Sequence, residues 1–198
     1  MKIFVVENNF SNAPQNIAVP IFSMRPETSL LRNNQNFFYP EFTNDIVCGV
    51  SVFVRLSRIG RCIYKKFANR YYNEIGAGVC FTAVDMLQKL QTANKPADIA
   101  RCFDFSLPVS PKTIPANEIN CNNIDIKLII NNEIAQKYNT SQLLFDIDEI
   151  ISYISQYVSF KIGDMVFIAL PDTATKIKIG YKLQAYINNL KMLDFEVE

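Results

Sequence analysis

The sequence has no histidine, and this absence excludes several kinds of catalytic and metal site. A Ser-His-Asp or Cys-His nucleophile system, a histidine metal site and an HExxH zinc site all need that side chain. Any acid–base chemistry therefore falls to Asp, Glu, Lys, Tyr, Cys or bound water.

An excess of charge of either sign is also missing. The 198 residues carry 20 basic and 19 acidic side chains, for a formal net charge of +1. General electrostatic attraction to nucleic acid or to an anionic membrane is then weak, and neither is expected as a partner. The longest apolar run, residues 165–170, is far shorter than the roughly 20 residues of a membrane span.

Cysteine is too sparse for a disulfide framework. The five cysteines are odd in number, widely spaced and form no CxxC motif. This usage predicts reduced thiols, and the four apolar residues that precede Glu7 are too few for a signal peptide. Together these features predict a cytoplasmic protein with a single domain over residues 1–198.

Alternation of apolar residues with a period of two dominates the pattern that is present. It predicts strands at residues 47–55 and 124–130, each with one buried face. Asparagine tolerates positive φ, so the pairs 131–132 and 188–189 predict hairpin turns. Residues 182–197 then form a strand, a turn and a strand.

Helical periodicity is confined to fewer segments. Apolar residues at three-to-four spacing predict a helix over residues 143–158, with Ser141 as its N-cap. Shorter helices are predicted at 64–72 and, behind Thr82, at 83–92. Residues 161–164 form a turn that leads into a strand at 165–170. The fold class is α+β, built mainly on antiparallel or mixed sheet.

Several short segments, in order along the chain, resemble motifs of the fumarylacetoacetate hydrolase family in its short single-domain form. They are MRPETSLL at 24–31 (FMKPxSxLL in the family), GVCFTAVD at 78–85 (GNDVTARD), RCFD at 101–104 (KSFD), QKYNTS at 136–141 (QxGNTSDM), KIGDMVF at 161–167 (LxPGDLIFTGTP) and the closing hairpin at 179–195. The preserved order is more specific than any one motif.

The resemblance implies a mixed β-roll with a few short helices, usually assembled as a homodimer. It also implies Mg²⁺ or Mn²⁺ held by carboxylates. Such proteins hydrolyse, isomerise or decarboxylate small 2-oxo acids and β-diketone acids, because the metal stabilises the enolate that forms.

The chain departs from the family pattern at the metal ligands. The two glutamates of an E-x-E strand are replaced by Gly49 and Ser51, and the ligand aspartate by Cys80. The active-site lysine corresponds to Arg101. The family segment GRNYxxH corresponds to residues 7–13, where its histidine is lost. These former active-site positions predict no metal cofactor and a protein that has lost the family chemistry, with a binding, regulatory or structural role.

Two other functions remain open. The chain is an active 2-oxo-acid hydrolase, isomerase or decarboxylase if ligands are recruited from elsewhere, such as Asp85 or Asp104. Alternatively, it is the partner subunit of an intact paralogue.

A small carboxylate is the expected ligand. The candidate binding residues are Arg25, Arg101, Asn9 and Thr140, because guanidinium groups pair well with carboxylates. Equally, Arg101 could form an ion pair with Asp104 or another acid.

Cys48, Cys80 and Cys102 lie at or beside the former active-site positions, and strand parity predicts that only Cys80 of these three faces the pocket. Small buried thiols are favoured over a thiolate site for Zn²⁺. A second cluster, of basic and aromatic residues at 55–72, resembles a nucleic-acid surface, but the balanced overall charge favours a solvated helix face.

Overall fold

The computed structural model describes residues 1–10, 17–170 and 174–198, and these contain thirteen strands and three α-helices. The strands are β1 (Ile3–Glu7), β2 (Ile21–Arg25), β3 (Leu30–Leu31), β4 (Ile46–Leu56), β5 (Tyr72–Ala83), β6 (Leu107–Pro108), β7 (Ile114–Pro115), β8 (Asp125–Ile130), β9 (Glu133–Asn139), β10 (Met165–Phe167), β11 (Thr175–Ile177), β12 (Lys182–Ile187) and β13 (Leu190–Glu196). The helices are α1 (Lys65–Ala68), α2 (Val84–Thr92) and α3 (Ile147–Tyr157).

Two main sheets organise the described residues. The larger has the order β2-β1-β10-β4-β5-β7, with β11 also paired to β4, and it is mixed because β1 and β10 run parallel. The smaller is antiparallel with the order β13-β12-β8-β9. This is the α+β, mixed-sheet architecture that the sequence predicts.

The long hairpin of β4 and β5 separates two hydrophobic cores. Val50, Val52 and Val54 point into the larger core, which β8, β12, β13 and α3 also line. Phe53 belongs to a smaller core on the opposite face, together with residues of β1 and β10. The alternation in β4 thus assigns every second residue to one face, as the pleat of a strand requires.

The asparagine turns form as predicted. Asn131 and Asn132 join β8 to β9 with φ angles of 50° and 70°, and Asn188 has a φ of 52° between β12 and β13. Asparagine adopts this left-handed region at lower cost than most residues. These turns therefore fix the register of the smaller sheet.

The helix boundaries differ from the sequence predictions. Helix α3 begins at Ile147, and its N-cap is Asp146, whose side chain accepts a hydrogen bond from the Glu149 N–H. The predicted cap, Ser141, lies in an earlier 3₁₀ turn, Thr140–Gln142. Thr82 is not a cap either, because β5 continues through it.

Among the residues described, none of the helices has the length and apolar character needed to span a bilayer.

Candidate functional site

The three positions that correspond to the family's metal ligands lie together on the β4–β5 hairpin. Gly49 is directly opposite Cys80, and Ser51 is opposite Gly78 in the next pair along that face. All of them belong to the face that carries the smaller core, since Phe53 and Cys80 are members of it. The β4–β5 hairpin therefore brings these positions together.

Their side chains offer little to a hard cation. The Ser51 hydroxyl is buried, donates to the Val52 carbonyl at 3.0 Å and accepts from the Ala169 N–H at 3.4 Å. Burial raises the pKa of the Cys80 thiol to about 12, so Cys80 is neutral near pH 7. Gly49 has no side-chain donor.

A cavity of about 290 Å³ opens beside these positions. Its lining residues are Glu7, Asn8, Val47, Cys48, Gly49, Cys80, Thr82, Val84, Leu87, Arg101, Leu170 and Ala174. Of the described lining residues, Glu7 is the only acid and Arg101 the only base. Two large side chains near the former active-site positions leave the cavity unfilled. Leu170 forms part of its wall, and Phe105 is exposed and does not line it.

Arg101 forms an ion pair with Glu7. Its Nη1 atom donates to Glu7 Oε1 at 2.9 Å and to Oε2 at 3.0 Å, and the Ser23 hydroxyl donates to Oε1 at 3.2 Å. The alternative that Arg101 pairs with an acid is therefore realised, but the partner is not Asp104. The only sequence signal that could have indicated Glu7 is strand parity, which places it on the same face as Ile3 and Val5.

Arg25 lies behind the cavity and not in its wall. The side chain is 3% exposed, and its Nη1 atom donates to the Arg101 carbonyl at 2.8 Å. Its Nε and Nη2 atoms are buried without a hydrogen-bond partner. Arg25 therefore adds a buried positive charge beneath Arg101, which itself is partly exposed to the cavity.

Asn9 and Thr140 use their polar atoms within the fold. The Asn9 amide donates to the Phe145 and Ile168 carbonyls and accepts from the Phe145 N–H. The Thr140 hydroxyl donates to the Cys121 carbonyl and accepts from the Ile124 N–H. Neither residue lines the cavity.

The recruited-ligand candidates also lie outside the cavity lining. The Asp85 carboxylate accepts hydrogen bonds from the Thr43 hydroxyl and the Asn44 N–H, which lower its pKa. Asp104 is exposed. The Cys48 side chain belongs to the larger core, on the face opposite Cys80 as strand parity predicts, although the residue borders the cavity. Residues 11–13 of the segment at 7–13 fall outside the described residues, as do residues 171–173 of the segment at 168–173, which corresponds to TGTPxG in the family.

Comparisons with known proteins agree with the family resemblance. The family model described as fumarylacetoacetate (FAA) hydrolase C-terminal matches residues 3–197. The chain belongs to the fumarylacetoacetate hydrolase family. A mitochondrial oxaloacetate decarboxylase of Dictyostelium discoideum is 26% identical over 96% of this chain and 89% of its own length. A mitochondrial oxaloacetate tautomerase of Arabidopsis thaliana is 25% identical over 90% of this chain and 80% of its own.

Solved structures of the fumarylacetoacetate hydrolase family have the same fold. A family protein of Yersinia pestis matches with a TM-score of 0.92 at 23% identity, over all of this chain and 93% of its own. The fumarylpyruvate hydrolase of Pseudomonas aeruginosa, in complex with Mn²⁺ and pyruvate, matches with a TM-score of 0.91 at 21% identity, over all of this chain and 89% of its own. At these identities the likeness establishes the fold alone.

The prediction of no metal cofactor is wrong in view of that comparison, because the Pseudomonas structure with this fold contains Mn²⁺. The donors on the β4–β5 face nevertheless do not fit a hard ion, which prefers carboxylate and carbonyl oxygens. Nor does the part of the chain that the structure describes contain a group of three or more His, Cys, Asp or Glu able to hold a metal ion. No reaction step is therefore assigned to a metal.

Proposed function

We propose that this chain is an enzyme that interconverts the keto and enol forms of a small 2-oxo acid. The observation that carries the proposal is the Arg101 guanidinium in the wall of a small cavity, at the position of the family's active-site lysine. The buried Arg25 guanidinium is hydrogen-bonded to the backbone of the same residue and adds positive charge behind it.

The cavity suits a small anion. Ligand pockets range from about 300 to 1,000 Å³, so a volume of about 290 Å³ is at the lower end and favours a molecule the size of pyruvate or oxaloacetate. A guanidinium binds a carboxylate through charge-assisted hydrogen bonds. The two relatives named above act on oxaloacetate according to their names, which supports the same substrate class here.

Tautomerisation is the reaction of this class that needs least from the protein. Carbon–carbon hydrolysis requires an activated water, and decarboxylation requires an enolate to be stabilised after carbon dioxide leaves. Keto–enol conversion requires only that one proton moves between carbon and oxygen while a nearby cation stabilises the enolate. The described wall of the cavity contains one carboxylate, on Glu7, and one guanidinium, on Arg101. The carboxylate can move the proton, and the guanidinium can stabilise the enolate.

The test measures oxaloacetate tautomerisation by the ultraviolet absorbance of the enol, with EDTA, with Mg²⁺ and with Mn²⁺. Oxalate binding is titrated calorimetrically under the same three conditions. We expect catalysis above the buffer rate in at least one condition. We also expect Arg101→Met to weaken oxalate binding by about tenfold to 100-fold, because a hydrogen bond to a charged group contributes about 1.5–3 kcal/mol.

The matched control is Arg58→Met, which removes an exposed arginine that does not line the cavity. It should leave both readouts unchanged. Absence of catalysis in all three conditions, with no oxalate binding, would contradict the proposal.

A second candidate is a non-catalytic protein that binds a carboxylate ligand. The observation that favours it is the loss of carboxylates at Gly49, Ser51 and Cys80, which lie together on one face. Oxalate binding through Arg101 without any acceleration of tautomerisation would select this candidate.

Three further expectations stay predictions. A homodimer is expected from the family resemblance, and one domain over residues 1–198 is supported by the family match to residues 3–197. A cytoplasmic location is expected from the cysteine usage, whereas the two relatives described above are named as mitochondrial.

A further inference from the structure

We infer that Glu7 is the catalytic residue that carries the proton in this cavity. The inference rests on the function proposed above and names the residue responsible. The resemblance aligns Glu7 with a glycine of the family segment GRNYxxH, so this carboxylate is a feature of the present chain.

Strand parity brings Glu7 to the cavity. It is the last residue of β1, and Ile3 and Val5 on the same face are buried in the smaller core. At the end of the strand that face becomes the wall of the cavity, where Glu7 is 20% exposed. The carboxylate is therefore held by a rigid element and remains accessible to a ligand.

The hydrogen bonds around Glu7 fix the orientation of its carboxylate. Arg101 Nη1 donates to both carboxylate oxygens, and the Ser23 hydroxyl donates to Oε1. A carboxylate oxygen can accept a proton from a carbon acid. Arg101 is also the cation that would stabilise an enolate. Its Nη1 atom lies within 3.0 Å of both oxygens of the Glu7 carboxylate, the proton acceptor.

The other described lining groups are poorly suited to proton transfer. Burial raises the pKa of the Cys80 and Cys48 thiols to about 12, and both are almost fully buried. The chain has no histidine. Thr82 carries a hydroxyl, which is a much weaker acid and base than a carboxylate near pH 7. Glu7 is the group that remains.

The reaction balances with Glu7 and the substrate alone. A Glu7 oxygen takes a proton from C3 of the 2-oxo acid, and the C3–H electron pair becomes the C2–C3 double bond. The carbonyl electron pair moves to the C2 oxygen, whose negative charge Arg101 stabilises. The proton on Glu7 then passes to that oxygen, which gives the enol and restores the carboxylate.

The decisive variant is Glu7→Gln, which keeps the size of the side chain and removes its basicity. We expect kcat for tautomerisation to fall by about 10²-fold to 10⁴-fold, the usual contribution of general acid–base catalysis. The affinity for oxalate should be unchanged or higher, because the neutral amide competes less for Arg101. Glu41→Gln, at an exposed residue that does not line the cavity, is the matched control.

A structural role for Glu7 predicts another pattern. If Glu7 only positions Arg101, then Glu7→Gln loses oxalate binding and activity together, and the inference is overturned. It is equally overturned if Glu7→Gln keeps kcat within threefold of the unsubstituted protein. Should Glu7→Gln fail to fold, Glu7→Asp retracts the carboxylate by one methylene and should lower kcat at least tenfold with oxalate affinity preserved.

The same experiment separates the two proposals. If the unsubstituted protein is inactive under every metal condition, both the proposed tautomerase activity and the role of Glu7 are contradicted. If the unsubstituted protein and its Glu7→Gln variant are both active, only the role of Glu7 is contradicted.

Discussion

Asp164 joins two segments of the larger sheet that are 162 residues apart in the sequence. Its buried carboxylate accepts hydrogen bonds from the backbone N–H groups of Lys2 and Lys161, each at 2.8 Å. It also pairs with the Lys2 ammonium at 2.6 Å. These contacts hold the first strand beside the turn that precedes β10, and so they position the strand that ends in Glu7.

Asp164→Asn should therefore lower the free energy of unfolding. The amide keeps one acceptor but loses the charge, and removing one partner of a buried pair costs about 3–5 kcal/mol. Lys2 is partly exposed, so we expect a smaller loss, about 2–3 kcal/mol, in urea unfolding. The exposed Asp104→Asn provides the comparison, and equal stability of the two variants would contradict this account.

Strand β5 shows how an element accommodates aromatic packing. Phe53 and Phe167 pack against each other in the smaller core, with their ring centroids 5.4 Å apart and their planes tilted by 39°. A Cβ atom added at Gly76 would meet the Phe53 ring, and one added at Gly78 would meet the Phe167 ring. These glycines leave the space that the two rings occupy on the hairpin face.

Gly78→Ala should thus overpack the smaller core. We expect a loss of about 1–3 kcal/mol in chemical unfolding, the usual cost of an added methyl group in a packed interior. The double variant Gly78→Ala/Phe167→Leu should recover part of that loss, because the smaller side chain makes room. A double variant whose loss of stability equals the sum of the two single losses would argue against direct contact.

The elements of this fold were predictable to different degrees. The alternation around β4 and the asparagine pair at 131–132 gave strands and turns, because both depend on neighbouring residues. The start of α3 was wrong, because the apolar spacing continues upstream into residues 143–145. There the backbone of Phe145 is bound by Asn9 from a distant segment, which only the tertiary structure brings close.

At the scale of the whole molecule, burial of ionisable side chains makes stability depend on pH. Burial raises the pKa of Cys48 and Cys80 from 9.0 to about 12. It also raises the pKa of Tyr72 and of Tyr138. These groups stay neutral in the folded protein at pH values where the unfolded chain ionises.

Stability should therefore fall at alkaline pH. Below pH 9 both states hold the thiol protons, and the stability from neutral burial is complete. Between about pH 9 and 12 the unfolded chain loses protons first, so stability declines; at pH 10 each thiol lowers the free energy of unfolding by on the order of 1 kcal/mol. Urea unfolding at pH 8, 9 and 10 measures this decline, which should be shallower in Cys48→Ala/Cys80→Ala. A flat profile would contradict it.

The sequence by itself determined the fold class, the family and the face of β4 that carries Gly49 and Ser51. Strand parity depends on neighbouring residues and motif order on position along the chain, so both can be predicted from the sequence. The tertiary structure alone decided that Glu7 pairs with Arg101, 94 residues away, and that Arg25 is buried behind them. Such pairings depend on which strands become neighbours, and the charge of the cavity follows from them and not from any single segment.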